Sequence, residues 1–268
     1  MRIDTVMDML SDGLRHLFFP RRCALCAELK PELTQMSPLC PECRAAWRAE
    51  LATVCTSCGE IAMRCRCAPK SAGADALSEL DGARLRFYHL LPYRPGKRNS
   101  PAARILLRLK TKRDADALAF LASQMAPLCE CAVNENTETG APAINGSRAD
   151  WLFTYTPRSR HAAAENGFDQ AEELARTLSR LTGIPVRRCF VRIRGRNTAQ
   201  KTLDTAGRRE NAQKSYRLKP GTELRGKRVL LVDDILTTGA TVTACAGMLL
   251  DAGAAVCVCL TAAKTDRS

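Results

Sequence analysis

Residues 229–241 read VLLVDDILTTGAT, an aliphatic run that meets two adjacent aspartates and then a threonine- and glycine-rich turn. An uninterrupted aliphatic run fits a strand buried on both faces of a parallel sheet. The stretch TVTACAGMLLDAG that follows fits a helix closed by Gly253. Asp233 and Asp234 then stand at the carboxyl end of a strand, where open α/β sheets bind their ligands. Backbone N–H groups at the start of the next helix, reinforced by its dipole, favour a phosphate monoester. Gly239 permits a tight turn with the backbone close to a ligand, and Thr237, Thr238 and Thr241 add hydroxyls. The triphosphate loop GxxxxGK[ST] and the dinucleotide fingerprint GxGxxG are both absent. The matching ligand carries a terminal phosphate for the loop and hydroxyls, or a hydrated metal, for the acids. A ribose 5-phosphate meets both demands.

The rest of the C-terminal two thirds alternates strand-like and helix-like segments, which predicts an α/β fold with a parallel sheet covered on both sides. Residues 83–93 read as a strand or strand pair. Ser100 and Pro101 start a helix running to about residue 126, with Ile105, Leu106, Leu109, Leu118, Leu121 and Met125 as its buried stripe. Residues 132–149 are rich in turn formers and predict a surface loop or insertion. Residues 151–157 form a strand. Asp169, with Glu172 three residues on, predicts a capped helix whose Leu174, Leu178 and Leu181 share one face and whose end is Gly183. Residues 186–193, 228–234 and 254–263 supply further strands.

The N-terminal part differs. Eight of the fourteen cysteines lie between Cys23 and Cys67, spaced C-x2-C, C-x2-C, C-x2-C and C-x-C. Zinc favours four thiolates in a tetrahedron, and a C-x2-C turn places two sulfurs on one ion. Cys23, Cys26, Cys40 and Cys43 make one candidate site and Cys55, Cys58, Cys65 and Cys67 a second, although a cross-braced pairing is equally legal. One or two structural Zn2+ ions are expected. Cys129, Cys131, Cys189, Cys245, Cys257 and Cys259 read as small core residues. The predicted division is residues 1–80, a short amphipathic helix plus a double zinc ribbon, and 81–268, the α/β domain.

No apolar run approaches a membrane span, and residues 1–20 lack the unbroken apolar core of a secretion signal. A cytoplasmic location is expected, where metal binding explains paired cysteines better than disulfides do. The formal charge of +13 is concentrated: residues 185–228 hold fourteen Lys or Arg against three acids. Such a segment predicts a phosphate-facing surface.

The stretch VLLVDDILTTGAT resembles the phosphoribosyl-pyrophosphate (PRPP) signature of the type I phosphoribosyltransferases. The cysteine pairs, then LKTK, then PRSRHAAAENGFDQAEELA, then RNTAQKTLDTAGRRENA, then the signature, follow the order of the ComF family within that superfamily (ComFC and GntX-like proteins). The resemblance spans about Cys23 to Ala263. It implies that Asp233 and Asp234 hold the ribose hydroxyls and that Thr237, Thr238, Gly239, Ala240 and Thr241 hold the 5-phosphate. It also implies that Arg158 and Arg160 meet the pyrophosphate, with Mg2+ as the neutralising cation. Residues 194–209 correspond to the loop that closes over the active site in the superfamily, with Arg196, Gln200, Lys201 and Arg208 as candidate contacts and Asn211 just beyond. One departure concerns residues 166–170: the chain has NGFDQ where many members have RGFNQ, so one phosphate contact is missing.

A transferase of this kind needs no nucleophilic side chain, so no residue, His161 included, receives a catalytic role. The resemblance implies PRPP as ligand and a link to competence, natural transformation and single-stranded DNA uptake. Competence-machinery proteins such as a helicase are the implied partners. The competing expectation is a nucleic-acid-binding or scaffold protein that only senses PRPP.

Overall fold

The computed structural model describes residues 22–30, 38–69, 84–111, 114–137, 148–158, 168–193 and 215–266. The predicted N-terminal helix, Arg160 and the closing-loop candidates Arg196, Gln200, Lys201, Arg208 and Asn211 lie outside these residues, as does the expected boundary at 80/81. In chain order the elements are helix α1 (Pro41–Leu51), a 3-10 turn at Ala62–Arg64, strand β1 (Leu85–Tyr93) and helices α2 (Pro101–Thr111) and α3 (Ala115–Thr137). There follow β2 (Trp151–Tyr155), α4 (Gln170–Thr182), β3 (Phe190–Arg192), β4 (Tyr216–Leu218), β5 (Arg228–Leu236), α5 (Ala240–Asp251) and β6 (Val256–Thr265).

Four strands pair in the order β1-β6-β5-β2, all parallel, while β3 and β4 form a separate antiparallel pair. The fold is therefore α/β, a parallel sheet flanked by helices. Alternation along β5 shows why its sequence is continuously apolar. Leu230 and Val232 enter the core on one face, with α2, α3 and α4, and Val229 and Leu231 enter the other, with α5 and the β3-β4 pair. With both faces covered, no position between Arg228 and Val232 is left for solvent.

Local signals in the sequence set several element ends. Asp169 caps α4 by accepting from the Ala171 and Glu172 N–H groups, and Gly183 at φ 73° closes it. The other oxygen of Asp169 accepts the Arg158 backbone N–H at 2.8 Å, so the cap also ties down the chain after β2.

Four expectations need correction. The helix predicted from residue 101 to about 126 is two helices, because Asp114 accepts the Ala117 N–H at 2.9 Å and starts a second one while pairing with Arg108. Of the loop predicted at 132–149, residues 132–137 are instead helical, since α3 runs to Thr137. Its last turns bury Ala132 and Val133, and Glu135 accepts from the Tyr88 hydroxyl at 2.6 Å and from Arg66 at 2.8 Å. Tertiary partners there override a weakly helical sequence. Leu181 lies exposed near the end of α4, where the buried place falls to Thr182, bonded to the Leu178 carbonyl at 2.8 Å. Cys131 is exposed, on the face of α3 turned away from the core that holds Cys129.

The cysteine-bearing segment does not stand apart from this core. Cys23, Leu25, Leu39, Cys40, Cys43 and Trp47 belong to the same buried cluster as α2, α3 and one face of the sheet.

Candidate phosphate site and cysteine clusters

Strand register brings the predicted site together. β2 runs beside β5 with Tyr155 opposite Val232, so the residues that follow this pairing on each strand emerge at the same end of the sheet. There Arg158 reaches Asp234 at 3.2 Å. The opposite flank comes from the last turn of α2, whose Lys110 lies 3.5 Å from the same carboxylate. Lys110 lies in the LKTK motif but was not marked as a site residue by the sequence, because only the α2 packing aims it at the strand end.

The two acids also hold their own turn. Asp233 Oδ1 accepts the Asp234 N–H and Asp234 Oδ1 accepts the Ile235 N–H, both at 2.8 Å. Asp233 keeps some solvent access, yet protein surrounds its carboxyl. Burial first, and the neighbouring Asp234 second, raise its pKa well above the ordinary carboxylate value. The cations sit on Asp234, and at Asp233 the Asp234 N–H and Thr156 only partly oppose the shift. An acid whose folded pKa is raised makes the native state bind more protons than the unfolded chain. Stability is therefore lost as pH climbs from about 4 through the raised value. Asp233→Asn removes that cost. Its melting temperature is expected to exceed the parent's at pH 8, with the gap closing towards pH 4; thermal scans across that range check it, and a gap that widens on acidification would refute the assignment.

Beyond the acids, Thr237 is exposed, Thr238 is buried, and Gly239 stands at φ 77° as the residue before α5. Thr238 Oγ1 accepts the Ala240 N–H at 3.4 Å, and the Gly239 carbonyl accepts the Thr243 N–H at 2.8 Å. Thr241 lies half-buried in the first turn of α5. The loop thus sits where a helix N-terminus and the acidic pair face one end of the sheet, a geometry suited to an anion beside a polyol.

The eight paired cysteines fall into two groups of four, Cys23, Cys26, Cys40, Cys43 and Cys55, Cys58, Cys65, Cys67, with all sulfurs of a group within 4.8 Å of one another. The grouping is consecutive, not cross-braced. A tetrahedral Zn–S4 centre has sulfurs about 3.8 Å apart, and Cys26 and Cys40 lie 4.0 Å apart. The electrostatics also suit a cation. Burial resists ionisation of Cys23, but N–H groups around Cys26, Cys40 and Leu25 outweigh it and bring its thiol to about 7. Burial lifts Cys40 to about 11. In the second group burial again opposes, yet bonds from Ser57 and Cys58 bring Cys55 to about 6, while burial and Cys55 push Cys65 to about 12. One sulfur in each group is thus prepared as thiolate, and a metal would draw the others down. Both clusters are consistent with structural zinc. The first is mostly buried, whereas Cys58 of the second is exposed.

Residues 162–268 match the family model described as the phosphoribosyl transferase domain. The C-terminal part of the chain carries a phosphoribosyltransferase domain. Within the chain, 36 residues are 58% identical to an adenine phosphoribosyltransferase of Nocardia farcinica, covering 13% of this chain and 19% of that protein. The chain thus matches about a fifth of the curated relative's length. Among solved structures it is similar to a glutamine PRPP amidotransferase from B. subtilis, with 23% identity over 53% of this chain and 25% of that one, at a TM-score of 0.32. It is also similar to the adenine phosphoribosyltransferase of Leishmania tarentolae, with 14% identity over 69% and 80% of the two chains, at a TM-score of 0.33. No helix among the described residues is long and apolar enough to cross a membrane.

Proposed function

We propose that this chain binds PRPP together with Mg2+ and transfers its phosphoribosyl group to an acceptor. The reading is carried by one observation: an acidic pair at the end of β5, flanked by Arg158 and Lys110 and running into a threonine-glycine loop at the start of α5. Asp233 and Asp234 hold the ribose hydroxyls, and the N–H groups and hydroxyls of residues 237–241 take the 5-phosphate. Arg158, released from Asp234, turns to the pyrophosphate as a planar cationic donor. Mg2+ suits the hard carboxylate oxygens and neutralises the leaving group, keeping several of its waters. The chain's contribution to rate is positioning the anomeric carbon and stabilising departing charge in a site shielded from water.

A cavity beside the loop, bounded by Thr53, Ser57, His89, Thr237 and Lys264, is the proposed place of the acceptor. His89 enters it as a neutral ring, since burial, then Lys264 and Arg66, hold its pKa near 3. The ComF resemblance extends the proposal to competence and to single-stranded DNA, and the basic segment 185–228 supports that extension. The non-catalytic alternative keeps the same pocket as a sensor. Calorimetric titration with Mg2+ and PRPP, with and without single-stranded DNA, tests the proposal. Micromolar binding is expected, and absence of binding would refute it. Pyrophosphate release on adding an acceptor separates transferase from sensor.

A further inference from the structure

The second cysteine group reaches the phosphate loop through its own tail. Pro69 follows Cys67 by two residues, and its ring lies directly on Gly239. A Cβ added to Gly239 would stand 2.2 Å from Pro69 Cγ and 3.0 Å from its Cβ. Residue 239 must therefore be glycine for two separate reasons, its left-handed backbone and the proline against it. Ala68, one residue earlier, packs into the same core as Val242 and Cys245 of α5.

The same group is fixed on its other side to the end of the sheet. Lys264, opposite Leu236 in the β5-β6 register, places its ammonium 3.8 Å from Cys65 Sγ. The Thr56 hydroxyl donates to Asp266 at 3.0 Å, and Cys55 shares the cavity wall with Thr237. The backbone bonds inside residues 53–69 are all short-range, such as Cys55 N–H to the Glu60 carbonyl, and Arg66 ties the segment to Glu135 and Tyr88. The segment contains one 3-10 turn and an isolated bridge between Val54 and Ile61. Four thiols gathered within 4.8 Å in so short a segment, one of them exposed, are suited to a cation that would hold them together.

We propose that the second cysteine group is a metal-dependent clamp on the phosphate loop, and that Pro69 is the positioning residue through which it acts. A metal held by Cys55, Cys58, Cys65 and Cys67 fixes the chain that ends in Pro69, and Pro69 holds the turn at Gly239 from which α5 starts. Lys264 offsets the negative charge that four thiolates leave on a divalent ion. The first group, buried in the main core, has no such contact with the loop among the described residues.

The link to PRPP rests on the function proposed above, but the clamp is measurable without any ligand. The Thr243 amide, bonded to the Gly239 carbonyl, reports the turn directly. Hydrogen exchange of the 237–244 segment is followed in the full zinc-loaded chain, in Cys58→Ser, in Pro69→Gly and in Pro69→Val, with bound zinc counted in each. Cys58→Ser is expected to lose one zinc and to speed exchange at Thr243 about tenfold, leaving residues 151–155 of β2 unchanged. Pro69→Gly is expected to give the same acceleration with both zincs retained, and Pro69→Val to restore protection. Parent-like exchange in Cys58→Ser after loss of one zinc, or in Pro69→Gly, overturns the clamp. Where the parent binds Mg2+ and PRPP, Cys58→Ser and Pro69→Gly are expected to weaken that binding about tenfold, and Pro69→Val to bind as the parent does. A parent that does not bind PRPP refutes the proposed function and leaves the exchange result standing on its own.

Discussion

Replacing Asp233 and Asp234 together by asparagine is expected to weaken Mg2+-dependent PRPP binding at least about 100-fold, which is about 2.7 kcal/mol. Asparagine is the sharper choice over alanine here. Its side-chain oxygen can still accept the Asp234 and Ile235 N–H groups that the acids now accept at 2.8 Å, so the turn keeps its geometry. What disappears is the charge and the paired acceptors that hold two hydroxyls or a hydrated cation. One effect opposes the loss: Arg158 and Lys110, freed from Asp234, raise the local positive potential and attract phosphates. A contact with a charged partner contributes about 1.5–3 kcal/mol, and two such acceptors are removed, so the loss outweighs the added attraction. Calorimetry on the folded double variant measures it. Binding within threefold of the parent would remove the acidic pair from the ligand site.

Trp47→Ala is expected to cost about 3–5 kcal/mol of folding stability, the range for emptying a large buried aromatic. Trp47 is 3% exposed, donates its indole N–H to Gln124 at 3.1 Å and meets Phe120 edge-on with ring centroids 4.8 Å apart. Both partners are on α3, so this one side chain from the cysteine-bearing segment is seated in the helical layer over the sheet. Urea unfolding should show a single transition moved to lower denaturant, with the slope unchanged. If the cysteine segment folded independently, as the division at residue 80 supposes, the strands would keep their midpoint. Two resolved transitions in the parent would therefore count against a shared core.

How far the sequence could be read depended on the range of the interactions involved. The β5 strand, its acids and the capped α4 helix were legible because the information is local: an apolar run, a turn glycine at 239, an aspartate three residues before Glu172. The cysteine grouping was half legible, since C-x2-C spacing names pairs but not which pairs share a site. Lys110 escaped because its role depends on where α2 lands. The last turns of α3 escaped for a similar reason, since nothing near Asn134 and Glu135 announces that Tyr88 and Arg66 wait there as partners. Pro69 was invisible altogether, a proline in a linker whose meaning comes from residue 239.

Asp169 does with one side chain what an amide there could do only in part. Its two oxygens divide their work, one accepting at the start of α4 and the other receiving the Arg158 backbone. An asparagine presents one oxygen and one NH2 group, and the latter cannot accept a proton from anything. The acid therefore gives the Arg158 backbone a fixed attachment that an asparagine capping α4 could not also supply. In this chain the helix and the strand end that presents Arg158 are joined at a single carboxyl group, and whatever shifts one will shift the other.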